Sequence, residues 1–194
     1  MDSTLRALLR SERNVHILYS YTNMDLYIQQ AVNYIRLGIE QNEHILFIDN
    51  ERLYPQIYKE LQKVLTSSDL ELLHFIKNFD FYYSSGGYHP PSIVEYFNTT
   101  VQPFLENDVS FRCWAHVEWA TMHEPLDLIR ELEEHIDWAV DALSFPLICA
   151  YQLDRMPVHL AQILEETHPY LLTDESFKDS NGYNKSHPFS TSIT

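Results

Sequence analysis

The sequence predicts an α/β protein, a three-layer sandwich around a mostly parallel sheet of five strands or slightly more. Three observations predict it. Apolar runs of strand length alternate with stretches of helical period five times along the chain. Strands joined by helices of that length require right-handed crossovers, which cover a parallel sheet on both faces. The chain has 194 residues of which 45% are hydrophobic, enough for one domain with a real core.

The first strand is Asn14 to Ser20, rich in Val, Ile, Leu and Tyr. Ile28, Ala31, Val32, Ile35 and Ile39 then recur at steps of three and four, which sets them on one helix face. Thr22 and Asp25 form a T-x-x-D start signal, and Gly38 suits a left-handed turn at the helix end. The second strand is His44 to Asn50, followed by a helix carrying Leu53, Ile57, Leu61 and Val64–Leu65. Leu70 to Ile76 reads as a short helix and Phe79 to Ser84 as the third strand. Pro90-Pro91-Ser92 opens a helix with Ile93, Phe97, Val101 and Phe104–Leu105 inward, because an N–H in the first turn lacks a partner anyway.

The fourth strand, Phe111 to Ala120, alternates Arg112, Trp114, His116 and Glu118 against Cys113, Ala115, Val117 and Trp119. A helix from about Pro125 follows, with Leu126, Ile129, Leu132, Ile136 and Val140 on one side. The fifth strand is Phe145 to Leu153, and Pro157 opens a last helix that His168-Pro169 ends. Residues 1–172 are expected to form the domain, with 1–13 as an N-terminal extension and 173–194 as a polar, loosely held tail. There is no internal repeat.

Thirteen Lys and Arg stand against 28 Asp and Glu, a formal net charge of −15. That surface repels a phosphate backbone, which argues against a nucleic-acid partner. No apolar run approaches the roughly 20 residues of a membrane span. The first ten residues do not read as a secretory signal, and two cysteines are too few for a disulfide framework. The expected home is the cytoplasm.

In open parallel sheets ligands sit beyond the carboxyl ends of the strands. The residues placed there are Tyr19 and Tyr21, Asp49, Tyr83 and Ser84, Glu118, and Tyr151 and Asp154. A nucleotide-hydrolysing version of this architecture needs a glycine-rich loop after the first strand, with a Lys to neutralise phosphate. Here that loop is Ser20-Tyr21-Thr22-Asn23-Met24-Asp25, without Gly or Lys. The four glycines, Gly38, Gly86, Gly87 and Gly182, all lie elsewhere. No cofactor and no metal is expected, since neither H-E-x-x-H nor a Cys/His ligand spacing occurs. His116 and Glu118 share a strand face and read as a hydrogen-bonded polar pair rather than a metal site, with an acid/base pair kept as the enzyme alternative. Cys113 and Cys149 sit mid-strand, where small thiols pack. Arg112, inside an apolar strand, needs either a ligand or a carboxylate such as Glu133 or Glu134. The Tyr82-Tyr83 and Tyr88 cluster suits binding and packing equally.

These residues resemble a family. The His16-Ile-Leu-Tyr19 strand, the helix ending in Leu37-Gly38, Arg112 followed by Glu118 and Trp119, and Glu133 resemble the MEDS domain. So does Cys149-Ala-Tyr151-Gln-Leu-Asp154-Arg155 with a helix ending in Thr167-His168-Pro169, and the likeness covers about residues 14 to 172. MEDS is the sensory domain named for methanogens, methylotrophs and the repressor of dichloromethane dehalogenase. The resemblance implies a RecA/KaiC-like fold whose phosphate loop is lost, and a ligand sensor of the kind joined to kinase or DNA-binding output domains. No such output domain is expected here, so the domain is expected to act through another protein or its own oligomer.

The expected function is therefore a non-enzymatic sensory module. It binds a small organic ligand through Arg112, Glu118, Tyr151 and His168, with Tyr19 nearby, and acts on a histidine kinase or regulator. Two alternatives stand beside it: a ligand-free interaction inhibitor or scaffold, and a hydrolase-type enzyme using His116 and Glu118.

Overall fold

The computed structural model describes residues 2–119 and 125–185. A sheet of seven strands runs through the middle: β1 (His16–Tyr21), β2 (His44–Asp49), β3 (Leu73–Lys77), β4 (Phe111–His116), β5 (Leu147–Gln152), β6 (Tyr170–Thr173) and β7 (Phe177–Asp179). Their order across the sheet is β3-β2-β4-β5-β1-β6-β7, and every pairing is parallel except β6 with β7.

Alternation along each strand divides the core in two. Leu18, Leu46, Ile48, Cys113, Ala115, Leu147, Cys149 and Tyr151 face α5 (Asn78–Tyr82), α6 (Pro90–Glu106), α7 (Leu126–Leu143) and α8 (Val158–Thr167). Ile17, Tyr19, Tyr21, Ile45, Phe47, Trp114, Ile148 and Ala150 face α1 (Ser3–Ser11), α2 (Met24–Glu40) and α3 (Tyr54–Leu61). The three layers follow from that period of two, because each strand must bury both faces. A short α4 (Ser67–Leu70) leads into β3, opened by a capping box between Thr66 and Asp69. Among the described residues no helix is long and apolar enough to cross a membrane.

Several expectations are corrected. The sheet has two further strands, because Tyr170–Thr173 pairs with β1 and Phe177–Asp179 folds back on β6. The segment after Thr173 is therefore tied down in its first part. Ser180 N–H bonds Pro169 O, Asn184 N–H bonds Glu166 O, and the Tyr183 hydroxyl donates to Asp137 at 2.8 Å. Residues 186–194 lie outside the described residues. Residues 3–11 form an amphipathic helix capped by Asp2, with Leu5 and Leu9 fully buried, so the extension belongs to the core.

The third strand also lies elsewhere. Leu73–Lys77, expected as helix over Leu73 to Ile76, pairs in register with Ile45–Asp49, while Phe79 to Tyr82, expected as strand, is helical. Both are short apolar runs without a period that separates helix from strand. β4 ends at His116, and the expected extension to Ala120 runs partly outside the described residues. Asn23, between the two predicted capping residues, is the N-cap of α2 and accepts from Asp25 and Leu26 N–H.

Gly38 lies inside α2, where a Cβ would stand 2.7 Å from Arg112 Cδ and Nε and would strike Ile45. Its role is close approach. The left-handed turn after the helix is made by Asn42, at φ 58°.

Candidate functional site

Three neighbouring strands, β3, β2 and β4, deliver Asn78, Asn50 and Glu118 just beyond their carboxyl ends. Glu118 Oε2 accepts from Asn50 Nδ2 at 3.0 Å and from Asn78 Nδ2 at 2.5 Å. Arg155, in the 3-10 turn after β5, lies 3.6 Å from Glu118 Oε1 and over the Trp119 ring. Burial pushes the Glu118 carboxyl up, but His116, Asn78, Asn50 and Arg155 together hold it below its usual range. Its side chain remains 30% exposed. It opens onto a cleft of about 460 Å³, lined by Asn50, Arg52, Lys77, Asn78, Phe79, Asp80, Tyr83 and Trp119 among others. That volume suits a small organic molecule. A fixed carboxylate with a lone pair facing the cleft would accept hydrogen bonds from hydroxyl or amine groups.

Behind this carboxylate lies a closed network. His116 Nδ1 meets Asp49 Oδ1 at 2.9 Å and its Nε2 meets the Tyr21 hydroxyl at 2.9 Å. Tyr27 donates to Asp49 Oδ2 at 2.6 Å and receives the Trp114 indole N–H at 3.0 Å. Asp49 is fully buried and every partner is satisfied, so the network fixes side chains without offering a free group.

Residues 15–169 match the family model MEDS, the methanogen/methylotroph, DcmR sensory domain. The chain belongs to the MEDS family. None of the curated proteins matches it. A sensory or signalling role follows from that membership.

The five residues expected at one ligand site fall in four places of this MEDS domain. Glu118 is in the cleft. Tyr19 lies on the α2 face and donates to Asp174 Oδ1 at 2.9 Å. Arg112 stands at the opposite end of β4, fully buried, bonded through Nε to Glu43 and through an NH2 to Gln41 at 3.1 Å. Its guanidinium lies 5.0 Å from the centre of the Tyr34 ring. Arg13 also holds Glu43, so the expected carboxylates Glu133 and Glu134 are replaced by one from the turn after α2. Of the remaining strand-end residues, Asp49 and Tyr21 belong to the closed network, Tyr83 stands at the cleft rim, and Ser84 and Asp154 are exposed.

Tyr151 and His168 do come together, in a second cluster against α7. Tyr151 donates to Glu133 Oε1, and His168 Nε2 lies 3.5 Å from Glu133 Oε2. His16 Nε2 is 3.5 Å from that same oxygen, and Cys149 Sγ is 3.6 Å from it. All five side chains are buried. Burial would raise the Glu133 carboxyl, yet His168, His16 and Tyr151 hold it below its usual value. Burial, then the His16 charge, push His168 down to about 3, so its ring is neutral. Burial and Glu133 push the Cys149 thiol well up. The Tyr88 hydroxyl is buried with no hydrogen-bond partner, and burial and Glu133 push it up as well.

Sequence reasoning read His16 as an ordinary strand residue and Cys149 as packing. Their signal was present in the alternation of β1 and β5: even-numbered His16 and odd-numbered Cys149 share the α7 face once His16 is aligned with Leu147. Only the register between the two strands reveals that.

Proposed function

We propose that this MEDS domain is a non-enzymatic sensory module that binds a small organic ligand in the Glu118 cleft. The carrying observation is the partly exposed carboxylate of Glu118, fixed by Asn50 and Asn78 at the carboxyl edge of three adjacent strands. The ligand would present hydroxyl or amine hydrogens to Glu118 and an apolar flank to Phe79 and Trp119. Occupancy would favour one arrangement of the surrounding loops, and a partner such as a histidine kinase or regulator would read it. Action through a homo-oligomer is the other route.

A RecA/KaiC-like kinship without nucleotide chemistry belongs to the same reading. Supporting it, the N–H groups of Thr22 and Asn23 after β1 are taken up by the carboxylate of Asp174. Against an acid/base pair, His116 is buried with both ring nitrogens engaged. The net charge of −15 speaks against nucleic acid as the partner.

Thermal denaturation in the presence of a small-molecule extract tests the reading. Stabilisation of the wild type, about 2.7 kcal/mol at a hundredfold excess over Kd, is expected to vanish in Glu118→Ala. Magnesium-dependent ATP turnover by the purified chain would overturn it.

A further inference from the structure

The second cluster has the geometry of a metal centre. His16 Nε2, Glu133 Oε2, Cys149 Sγ and His168 Nε2 come from four separate segments and all lie within 4.8 Å of one another. Four edges of the figure they form are 3.5 Å (His16–Glu133), 3.5 Å (His168–Glu133), 3.5 Å (His16–Cys149) and 3.6 Å (Cys149–Glu133). Bonds of about 2.0 Å to nitrogen and oxygen and about 2.3 Å to sulfur give tetrahedral edges of about 3.3 to 3.6 Å. Those four edges match ligands around one ion, and the remaining two lie within 4.8 Å.

The outer hydrogen bonds aim the donors inward. His168 Nδ1 donates to Leu164 O at 2.8 Å, a carbonyl that can only accept, so its Nε2 carries the lone pair. That Nε2 is wholly buried, points into the cluster and has no hydrogen-bond partner. A buried lone pair left so is costly unless something binds it. His16 Nδ1 is held by Asp137 Oδ1 at 3.1 Å, and Glu133 Oε1 by the Tyr151 hydroxyl. A ligating imidazole normally has its other nitrogen tied to a carboxylate or a backbone carbonyl, and both versions occur here.

Charge points the same way. With the protons displaced, a thiolate and a carboxylate with two neutral imidazoles carry two negative charges, which a bound divalent cation cancels inside a dry core. Mixed nitrogen, sulfur and oxygen donors in a tetrahedron suit zinc better than a hard, oxygen-seeking cation. We propose that His16, Glu133, Cys149 and His168 form a closed, four-ligand site for a divalent transition-metal ion of the zinc class. The ion would clamp α7 and the end of α8 to β1 and β5, and it would enter as the chain folds. This inference stands apart from the Glu118 cleft.

Metal analysis of the full chain, purified without a histidine tag, is expected to find close to one equivalent of zinc. After unfolding with chelator and refolding with cobalt(II), the wild type should show intense tetrahedral bands and a thiolate-to-cobalt charge-transfer band. Cys149→Ser should remove the charge-transfer band, and His168→Gln should weaken metal binding at least tenfold, while exposed His89→Gln should change nothing. Substoichiometric zinc together with no charge-transfer band on refolding, or a band that survives Cys149→Ser, would overturn the proposal. If those two variants fail to fold, X-ray absorption at the zinc edge of the wild type decides it. One sulfur at about 2.3 Å with nitrogen and oxygen at about 2.0 Å supports the site, and a shell without sulfur rejects it.

Discussion

Asp174 Oδ2 accepts the backbone N–H of Asn23 at 3.0 Å, and with it the N–H and hydroxyl of Thr22, each at 2.9 Å. The loop after the first strand of a parallel sheet is where N–H groups gather to hold an anion. Here the anion is the chain's own side chain, delivered by the turn between β6 and β7. The loop that lacks the Gly and Lys of a phosphate loop thus still holds an anion, but an internal one.

Removing that carboxylate has a consequence that depends on pH. Burial pushes Asp174 up, but the Thr22 and Asn23 N–H groups and the Thr22 and Tyr19 hydroxyls hold it below its usual 3.8. A carboxylate depressed in the folded state stabilises at pH values above its unfolded value and loses that contribution as pH falls through the folded one. Asp174→Ala should therefore cost about 1 kcal/mol at neutral pH. The difference from wild type should shrink once the pH drops below 3.8. Urea denaturation across that range measures it.

Gly38→Ala should destabilise the fold even though alanine is the better helix former. The propensity gain is about 1 kcal/mol, whereas a methyl forced against the Arg112 side chain and Ile45 costs about 2–3 kcal/mol. A lowered urea midpoint is the expected result.

Arg112→Met should also lower stability, by about 3 kcal/mol, because Glu43 stays buried with only the half-exposed Arg13 for company. In the fraction that folds, binding at the Glu118 cleft should be unchanged, since Arg112 sits at the far end of β4. Paired denaturation and binding measurements separate the two effects.

Tyr27→Phe should cost about 1–3 kcal/mol. It strips one partner from Asp49 Oδ2 and leaves the Trp114 indole N–H unpaired in the core. A blue shift in tryptophan emission should accompany the lower midpoint.

Much of the fold was legible because its strongest signals are periodic. The alternation of Arg112, Trp114 and His116 against Cys113, Ala115 and Val117 matches the two halves of the core. Ile93, Phe97 and Val101 line the buried face of α6. Some errors fell where period is absent, in Leu73–Lys77, in Phe79 to Tyr82 and in the polar β7, while the short α1 and β6 at the domain's ends were passed over despite their apolar residues. The site was legible one residue at a time but not as an assembly. Glu118, Tyr151 and His168 each stood out as polar groups beside apolar runs. Their grouping depends on which strands are neighbours and on where α7 sets Glu133. That Arg112 stands apart from the other four was not legible, because a strand pattern shows which face a side chain takes and not whether it lies at the strand's start or at its carboxyl end.

The central claim is that the Glu118 carboxylate recognises a small ligand, and native mass spectrometry tests it most directly. Wild-type and Glu118→Gln protein would be exposed to the same small-molecule extract and sprayed from non-denaturing buffer. The account predicts an adduct of small organic mass on the wild type that the variant does not carry. Identical spectra for the two proteins, whether both bare or both decorated, would contradict it.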